Sequence, residues 1–160
     1  MTQNSIDFSK QLIKGRIAEM IFAQMLRDAG CFTILAFGYE NTLPELMHHQ
    51  KDMQDEETME IIRRAPDFAV INNETHDVTL IEIKFRRKYK SDDILEIVKR
   101  MHESWKPSYL FLATPDCFYF DKAQEIIENE GVMSSFKHKK ISQELQDKYL
   151  DLMNKFIANN

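Results

Sequence analysis

The sequence has few of the residues that build disulfide frameworks, metal clusters or membrane spans. Its two cysteines, Cys31 and Cys117, are too few and too widely separated for a disulfide framework or a metal cluster, which favours a reducing compartment. Residues 1–8 are polar and lack the apolar stretch of a secretory signal, and no apolar run is long enough to span a bilayer. The sequence therefore predicts a soluble, cytoplasmic protein that does not contact a membrane.

Several catalytic and binding motifs are also missing. There is no nucleophilic serine elbow, no glycine-rich phosphate loop and no zinc motif. The chain lacks repeats, low-complexity tracts and linker-like stretches, so its 160 residues predict a single domain, 1–160. Because the net charge is −5, contact with phosphate groups would require a local basic patch.

Apolar residues at helical spacing predict several helices. The first covers residues 9–29 and ends at Gly30, and the second begins at Ser91 as its N-cap. A short helix over 121–129 and a C-terminal helix from about Ser142 follow. The first helix is expected to bury one face, made of Ile13, Ile17, Met20, Ile21 and Met25. The second is expected to bury Ile94, Leu95, Val98 and Met101.

Short β-prone runs predict the strands of a sheet. Residues 31–38 and 108–113 are apolar and are expected to form buried strands, and residues 65–85 form a hairpin around a polar turn. A long insertion, 41–64, separates the first strand from the hairpin, and its polar part 45–64 is expected to be a helix or a long excursion. This insertion could cap a site, mediate dimerisation or exclude duplex DNA.

The hairpin places charged side chains at one end of its two strands. If the turn is centred between Glu74 and Thr75, the numbers of facing residues sum to a constant, and Asp67 faces Glu82. Lys84 lies two residues beyond Glu82 and points to the same face. Two opposed carboxylates repel each other and require a cation, for which a divalent metal is the simplest choice. An ordinary surface salt bridge near a strand end is the alternative.

Both faces of the hairpin also carry apolar residues. One face continues from the charged residues as the pairs Ala69–Leu80 and Ile71–Val78, and the other carries Phe68, Val70, Ile81, Ile83 and Phe85. A sheet that is apolar on both faces must be covered on both. We therefore expect an α/β fold, a three-layer α/β/α sandwich with a mixed central sheet. Its core order is helix, three strands, helix, strand (α-β-β-β-α-β).

A further carboxylate lies on the first helix. The helical neighbours of Glu19 are largely apolar and are Leu12, Gly15, Phe22, Ala23 and Leu26. If Gly15 allows the helix to approach the sheet closely, Glu19 lies over the same sheet end as Asp67. The alternative is a glutamate whose carboxylate extends into solvent.

Three elements of this pattern together resemble the PD-(D/E)xK nuclease superfamily, which has the restriction-endonuclease-like fold. Pro66-Asp67 is similar to the PD element, Glu82-Ile83-Lys84 to the ExK element, and Glu19 to the glutamate of the first core helix. The resemblance covers about residues 8–113 and includes the core order of helices and strands. Residues 121–158 would then form a C-terminal helical extension.

The resemblance implies a role for each matching residue. Asp67 and Glu82 would ligate Mg²⁺, or Mn²⁺ as a substitute, together with the backbone carbonyl of Ile83. Lys84 would orient or help to deprotonate the attacking water, and Glu19 would bind through water or help to hold a second ion.

Basic residues follow the ExK element directly. Arg86, Arg87, Lys88 and Lys90 are interleaved with aromatic residues, and Arg63 and Arg64 precede the PD element. In a chain that is acidic overall, this patch is expected to contact the phosphates of a nucleic acid. The alternative is a solvated loop between a strand and a helix.

The leading hypothesis is a Mg²⁺-dependent phosphodiesterase that hydrolyses the DNA backbone with a metal-activated water, in a structure-directed or weakly sequence-specific manner. RNA is an alternative substrate, and double-strand cleavage would require a homodimer. A second hypothesis is a non-catalytic module that keeps the nuclease fold and binds nucleic acid or protein. A third is an acidic helical interaction protein, which requires that the hairpin carboxylates lie far apart.

Overall fold

A mixed five-stranded sheet lies at the centre of the computed structural model, which describes residues 3–38 and 56–158. Its strands are β1 (Phe32–Ala36), β2 (Phe68–Asn72), β3 (Val78–Phe85), β4 (Tyr109–Ala113) and β5 (Phe118–Lys122). The helices of the described residues are α1 (Gln3–Ala29), α2 (Glu56–Arg63), α3 (Ser91–Ser104), α4 (Ala123–Glu128) and α5 (Gln143–Ala158). None of these helices is long and apolar enough to cross a membrane.

The strands follow one another across the sheet in chain order, from β1 to β5. Every neighbouring pair is antiparallel except β3 and β4, which are parallel. Parallel neighbours need a crossover connection, and α3 supplies it between these two strands. The predicted α/β class, the mixed sheet and the core order of helix, three strands, helix and strand are confirmed; α2 is an additional helix between β1 and β2.

Helices cover both faces of the sheet, as the apolar residues on both faces of the hairpin predict. On one face, α1 and α5 pack in a core with the side chains of Val70, Ile81, Ile83, Phe85 and Phe111. On the other face, α3 and α4 pack against Leu110 and Leu112. The result is a three-layer α/β/α sandwich in which the hairpin forms the second and the central strand of the sheet.

The predicted register of the hairpin is confirmed. Ala69 pairs with Leu80 and Ile71 pairs with Val78, so the facing residue numbers have the expected sum. The Asn72 side chain stabilises the turn because its Oδ1 accepts hydrogen bonds from the backbone N–H groups of Glu74 and Thr75. The turn therefore sets which residues face each other all the way to the charged end.

The predicted buried face of α1 is confirmed in part, because Ile21 and Met25 are buried and Ile17 packs against the core. Met20 is 72% exposed and Ile13 is 49% exposed, whereas the helix buries a stripe formed by Ala18, Ile21, Phe22, Ala23, Met25 and Leu26. The helix also begins at Gln3, six residues before the predicted start at residue 9. Apolar residues lie on several sides of α1, so the spacing alone allowed more than one stripe, and packing on the sheet selected another.

Two other local predictions are wrong. β1 was expected to be buried, but it is an edge strand whose Thr33, Leu35 and Ala36 are exposed. Ser91 was expected to be an N-cap, but it is the first residue of α3, and Lys90 occupies the cap position without a side-chain hydrogen bond. The prediction for the insertion 41–64 lies partly outside the described residues; its end forms α2.

Two glycines have opposite surroundings. Gly131 has φ +85°, and a Cβ added there would lie 2.1 Å from the Ser91 carbonyl oxygen. Gly15, in the middle of α1, was predicted to permit close approach to the sheet, but an added Cβ would meet no described atom within 4 Å. The close-approach explanation for Gly15 is therefore wrong.

These surroundings predict opposite effects of the same substitution. Gly131→Ala is expected to lower the free energy of unfolding by about 2 kcal/mol or more, because the methyl group meets backbone at a positive φ. Gly15→Ala, the matched control, is expected to raise it by up to about 1 kcal/mol, because alanine favours the helix. Urea unfolding measures both, and equal effects would contradict the described packing.

Candidate active site

The charged end of the hairpin is held by a side-chain hydrogen bond. Asp67 immediately precedes β2, and its Oδ2 accepts a hydrogen bond of 2.7 Å from the backbone N–H of Ile83. Extension of the confirmed register by one residue beyond the Phe68–Ile81 pair places Asp67 opposite Glu82. The carboxylate thus continues the pairing of the two strands after the backbone ladder has ended.

Pro66 explains why the ladder ends at this point. The same register places it opposite Ile83, and its side chain is fully buried. Because proline has no N–H, it cannot donate a hydrogen bond to the Ile83 carbonyl. The Pro-Asp sequence therefore places a carboxylate at the N–H of Ile83 and leaves its carbonyl oxygen without a bond from the opposite residue.

Glu82 and Lys84 share one face of the sheet. In the parallel register, Glu82 lies beside Leu110 and Lys84 beside Leu112, and both leucines belong to the core under α3 and α4. The side chain of Glu82 is only 14% exposed, and its Oε1 accepts a hydrogen bond from the Lys84 ammonium group. Glu82 therefore points away from the face of Phe68, as the register predicts.

The surroundings of Asp67 disfavour its ionised form. Burial and the nearby Glu82 carboxylate raise the pKa of Asp67 from 3.8 to about 7, and Glu19 contributes in the same direction. The Ile83 N–H and the Lys84 ammonium group lower the pKa but do not offset this rise. The position thus carries more negative charge than its protein neighbours neutralise, and an added cation would favour the ionised form.

The surroundings of Lys84, in contrast, favour its charged form. Burial lowers its pKa, but the adjacent Glu82 carboxylate, and Asp67 behind it, outweigh burial and raise the pKa above the usual value. Lys84 is consequently a protonated cation in this arrangement, held between the carboxylates and the solvent.

These groups surround one cavity of about 360 Å³ at the end of the sheet. Asp67, Glu82 and Lys84 reach it from the hairpin, and Glu19 reaches it from α1, which packs on the opposite face of the sheet. The Glu19 side chain is 21% exposed, and its Oε2 accepts a hydrogen bond of 2.8 Å from Arg16. The structure therefore brings the four predicted catalytic residues together at one cavity, and their chemical roles stay predictions.

The donor set of this cavity suits a hard divalent cation. Within the described ranges, no cluster of three or more His, Cys, Asp or Glu side chains is arranged to hold a metal. Mg²⁺, however, typically binds one or two carboxylates and completes its shell with water and substrate oxygens. Asp67, Glu82 and the Ile83 carbonyl oxygen provide such a partial set, and the raised pKa of Asp67 indicates a position that favours added positive charge.

Two of the six predicted basic residues line the cavity, and the other four do not. Arg63 and Arg86 line the cavity, and Arg86 is fixed by a hydrogen bond of 2.6 Å from its Nε to Asp93. Arg64 instead pairs with Glu60 at 3.0 Å and Glu103 at 3.1 Å. The remaining three residues are exposed outside the cavity and are Arg87, Lys88 and Lys90.

Two further cations of α1 were not among the sequence predictions. Arg16 lines the cavity beside Glu19. Its position three residues before that glutamate is the feature of the sequence that could have indicated this. Lys14 is buried as well. The feature of the sequence that could have indicated it is a charged residue one helical turn before Ala18, which is buried. The partly wrong assignment of the buried face of α1 concealed both of them.

No protein-family model matches the sequence, and no curated protein matches it either. The fold and the arrangement of charges at the hairpin end are therefore the observations from which the class of protein is inferred.

Removal of the Asp67 charge is expected to stabilise the protein at alkaline pH. Since its pKa is raised from 3.8 to about 7, the destabilisation that Asp67 causes is absent below about pH 4, grows as the pH rises from 4 to 7, and is constant above about pH 7. Without divalent cations, Asp67→Asn should raise the Tm at pH 8 by about 3–6 °C, corresponding to roughly 1–2 kcal/mol, and by less at pH 5.

Asp151→Asn is the control for this measurement, because Asp151 is exposed on α5 and, among the described residues, forms its ion pair with Lys155. Its effect on the Tm should be small at both pH values. If Asp67→Asn lowers the Tm at pH 8, the described repulsion at the hairpin end is wrong.

Proposed function

We propose that this protein is a Mg²⁺-dependent nuclease of the PD-(D/E)xK type that hydrolyses the DNA backbone with a metal-activated water. The observation that carries the proposal is the meeting of Asp67 and Glu82 across the end of the hairpin, with Lys84 on the same face. Glu19 and three arginines at the same cavity add support. Structure-directed or weakly sequence-specific cleavage is part of the proposal, as is a homodimer for double-strand cleavage.

Three oxygen donors would hold the metal. They are the carboxylates of Asp67 and Glu82 and the Ile83 carbonyl oxygen, with Glu19 acting through water or at a second ion. When bound, Mg²⁺ polarises the scissile phosphate and lowers the pKa of its bound water. The two carboxylates are half-buried, which strengthens their interaction with any cation in the cavity, because the surroundings screen charge less than water does.

Lys84 acts as a cation in this proposal. Because its carboxylate neighbours raise its pKa, it keeps its proton, which favours orientation of the attacking water and stabilisation of charge on the phosphate over proton abstraction. Arg86, which Asp93 holds in place, and Arg63 present guanidinium groups at the wall of the same cavity. Arg63 can bind phosphate oxygens in a bidentate manner. The guanidinium of Arg86 already bonds Asp93 and the Phe85 carbonyl, so Arg86 would add positive charge, and the two arginines together would position the DNA backbone.

A non-catalytic module that binds nucleic acid is the second candidate. The direct pairing of Lys84 with Glu82 favours it, since an ion pair at a strand end can be purely structural. The carboxylates would then stabilise the hairpin rather than hold a metal. The two experiments below separate the candidates, one by cleavage and one by metal binding.

Replacement of Lys84 is expected to slow cleavage strongly. The measurement is the rate of cleavage of labelled single-stranded, duplex, flapped and branched DNA, and of RNA, with Mg²⁺ and with chelator. Lys84→Met should slow cleavage of the preferred substrate by about 100-fold or more, the magnitude typical of a lost electrostatic contact in the transition state. Lys148→Met is the matched control, since Lys148 also pairs with a glutamate but is exposed on α5. Full activity of Lys84→Met, or cleavage in chelator, contradicts the proposal.

Metal binding is expected to depend on both hairpin carboxylates. Calorimetric titration with Mg²⁺ or Mn²⁺ should give a binding heat for the wild type that Asp67→Asn and Glu82→Gln each remove, because each variant deletes one charged oxygen donor. Glu144→Gln, which changes an exposed glutamate of α5, should leave the heat unchanged. A wild-type protein that shows no heat would favour the non-catalytic module.

A further inference from the structure

Lys14 is a buried lysine without an anionic partner in the described residues. It is 4% exposed, and no hydrogen bond or ion pair joins its ammonium group to any residue of 3–38 or 56–158. Burial of an unpaired charge is unfavourable, so most buried lysines have a partner. In these ranges, Ser108 Oγ is the one polar side-chain atom that is both closed off from solvent and without a hydrogen-bond partner. Since the ammonium group of Lys14 has no partner either, it must keep contact with solvent.

The charged neighbours of Lys14 are also cations. Lys10 lies one turn earlier on the same side of α1, and Arg87 lies in the loop that follows β3. Burial lowers the pKa of Lys14, and the charges of Arg87 and Lys10 lower it further. Both Lys10 and Arg87 are exposed. The α1 segment that carries both lysines and the end of β3 line one cavity together, so the three positive charges come from two elements that meet there.

This basic cluster borders the candidate active site. Gln11 and Gly15, which flank Lys14 on α1, line the cavity that contains Asp67, and so does Arg86, the residue before Arg87. An added Cβ at Gly15 would meet no described atom within 4 Å, so the surface between the cluster and the cavity is open. A chain that crosses the cavity can thus continue over the cluster.

We propose that Lys10, Lys14 and Arg87 form a binding site for a backbone phosphate of the DNA strand, next to the phosphate that is cleaved. This inference rests on the proposed nuclease function and specifies how the substrate is held. A phosphodiester supplies the anion that the cluster lacks, and Arg87 can bind its oxygens in a bidentate manner. The ammonium group of Lys14 keeps contact with solvent and supplies a cation from α1, so the phosphate is held from two elements.

If position 14 only supported the fold, an apolar residue would suit it better than lysine. The stripe of α1 that includes Lys14 continues with Ala18 and Met25 in the core, so an apolar side chain at position 14 would extend this packing. Lys14→Met is therefore expected to raise the Tm while it weakens DNA binding. A residue that only supports the fold would change the Tm in the opposite direction and leave binding unchanged.

The test is DNA binding by fluorescence anisotropy, with the full chain in chelator so that no cleavage occurs, between 50 and 200 mM NaCl. Lys14→Met should weaken binding about 5- to 10-fold and make the dependence of log Kd on log[NaCl] shallower by about 0.7–0.9, the change expected for one lost phosphate contact. Arg87→Gln and Lys10→Gln change exposed residues, leave folding intact, and should act in the same direction. Lys148→Met, a change of an exposed lysine, should alter Kd less than twofold.

The outcomes separate this inference from the proposed function. Weaker binding and a shallower salt slope in the three cluster variants, in a protein that cleaves nothing, support the phosphate site and overturn the nuclease. Normal cleavage with unchanged binding, slope and KM in all three variants overturns the phosphate site and leaves the nuclease standing. A lower Tm for Lys14→Met with unchanged binding in Lys10→Gln and Arg87→Gln also overturns it.

Discussion

The hydrogen bond from the Ile83 N–H to the Asp67 carboxylate is the interaction on which the candidate site depends. It extends the hairpin pairing by one residue beyond the point where Pro66 ends the backbone ladder. A half-buried carboxylate is thereby placed opposite Glu82, and the Ile83 carbonyl oxygen receives no bond from Pro66 opposite it. An undistorted ladder would have used these backbone groups for strand pairing and left no oxygen donors at the sheet end.

Unfavourable charge is the common property of the groups around this end of the sheet. Asp67 and Glu82 repel each other, and Lys14 is buried beside two other cations. Each cluster lacks a partner of opposite charge sufficient to neutralise it, and the two clusters border one cavity. Groups whose pKa values are shifted in this way concentrate at functional sites, because a ligand of opposite charge recovers the electrostatic energy. A cation and a phosphate are the ligands that complement the two clusters.

The elements predicted correctly are those whose sequence pattern has one interpretation. The hairpin has period-two runs around a single polar turn, so both its register and the face of Lys84 follow from the residues alone. α1 carries apolar residues on several sides, and Met20 was predicted to be buried together with Ile21 and Met25 although only the latter two are. β1 reads as a buried strand because its residues are apolar, but its position at the sheet edge depends on pairings that no local pattern contains.

The sequence by itself determined the α/β class, the order of the core elements and the opposition of Asp67 and Glu82, because a strand pair with a short turn has a register set by local geometry. Only the tertiary structure decided that Glu19 reaches the cavity from the opposite face of the sheet, and that Lys14 lies beside Arg87. These contacts join residues far apart in the chain. They depend on the rotation of α1 about its axis, which the packing of the whole apolar core selects.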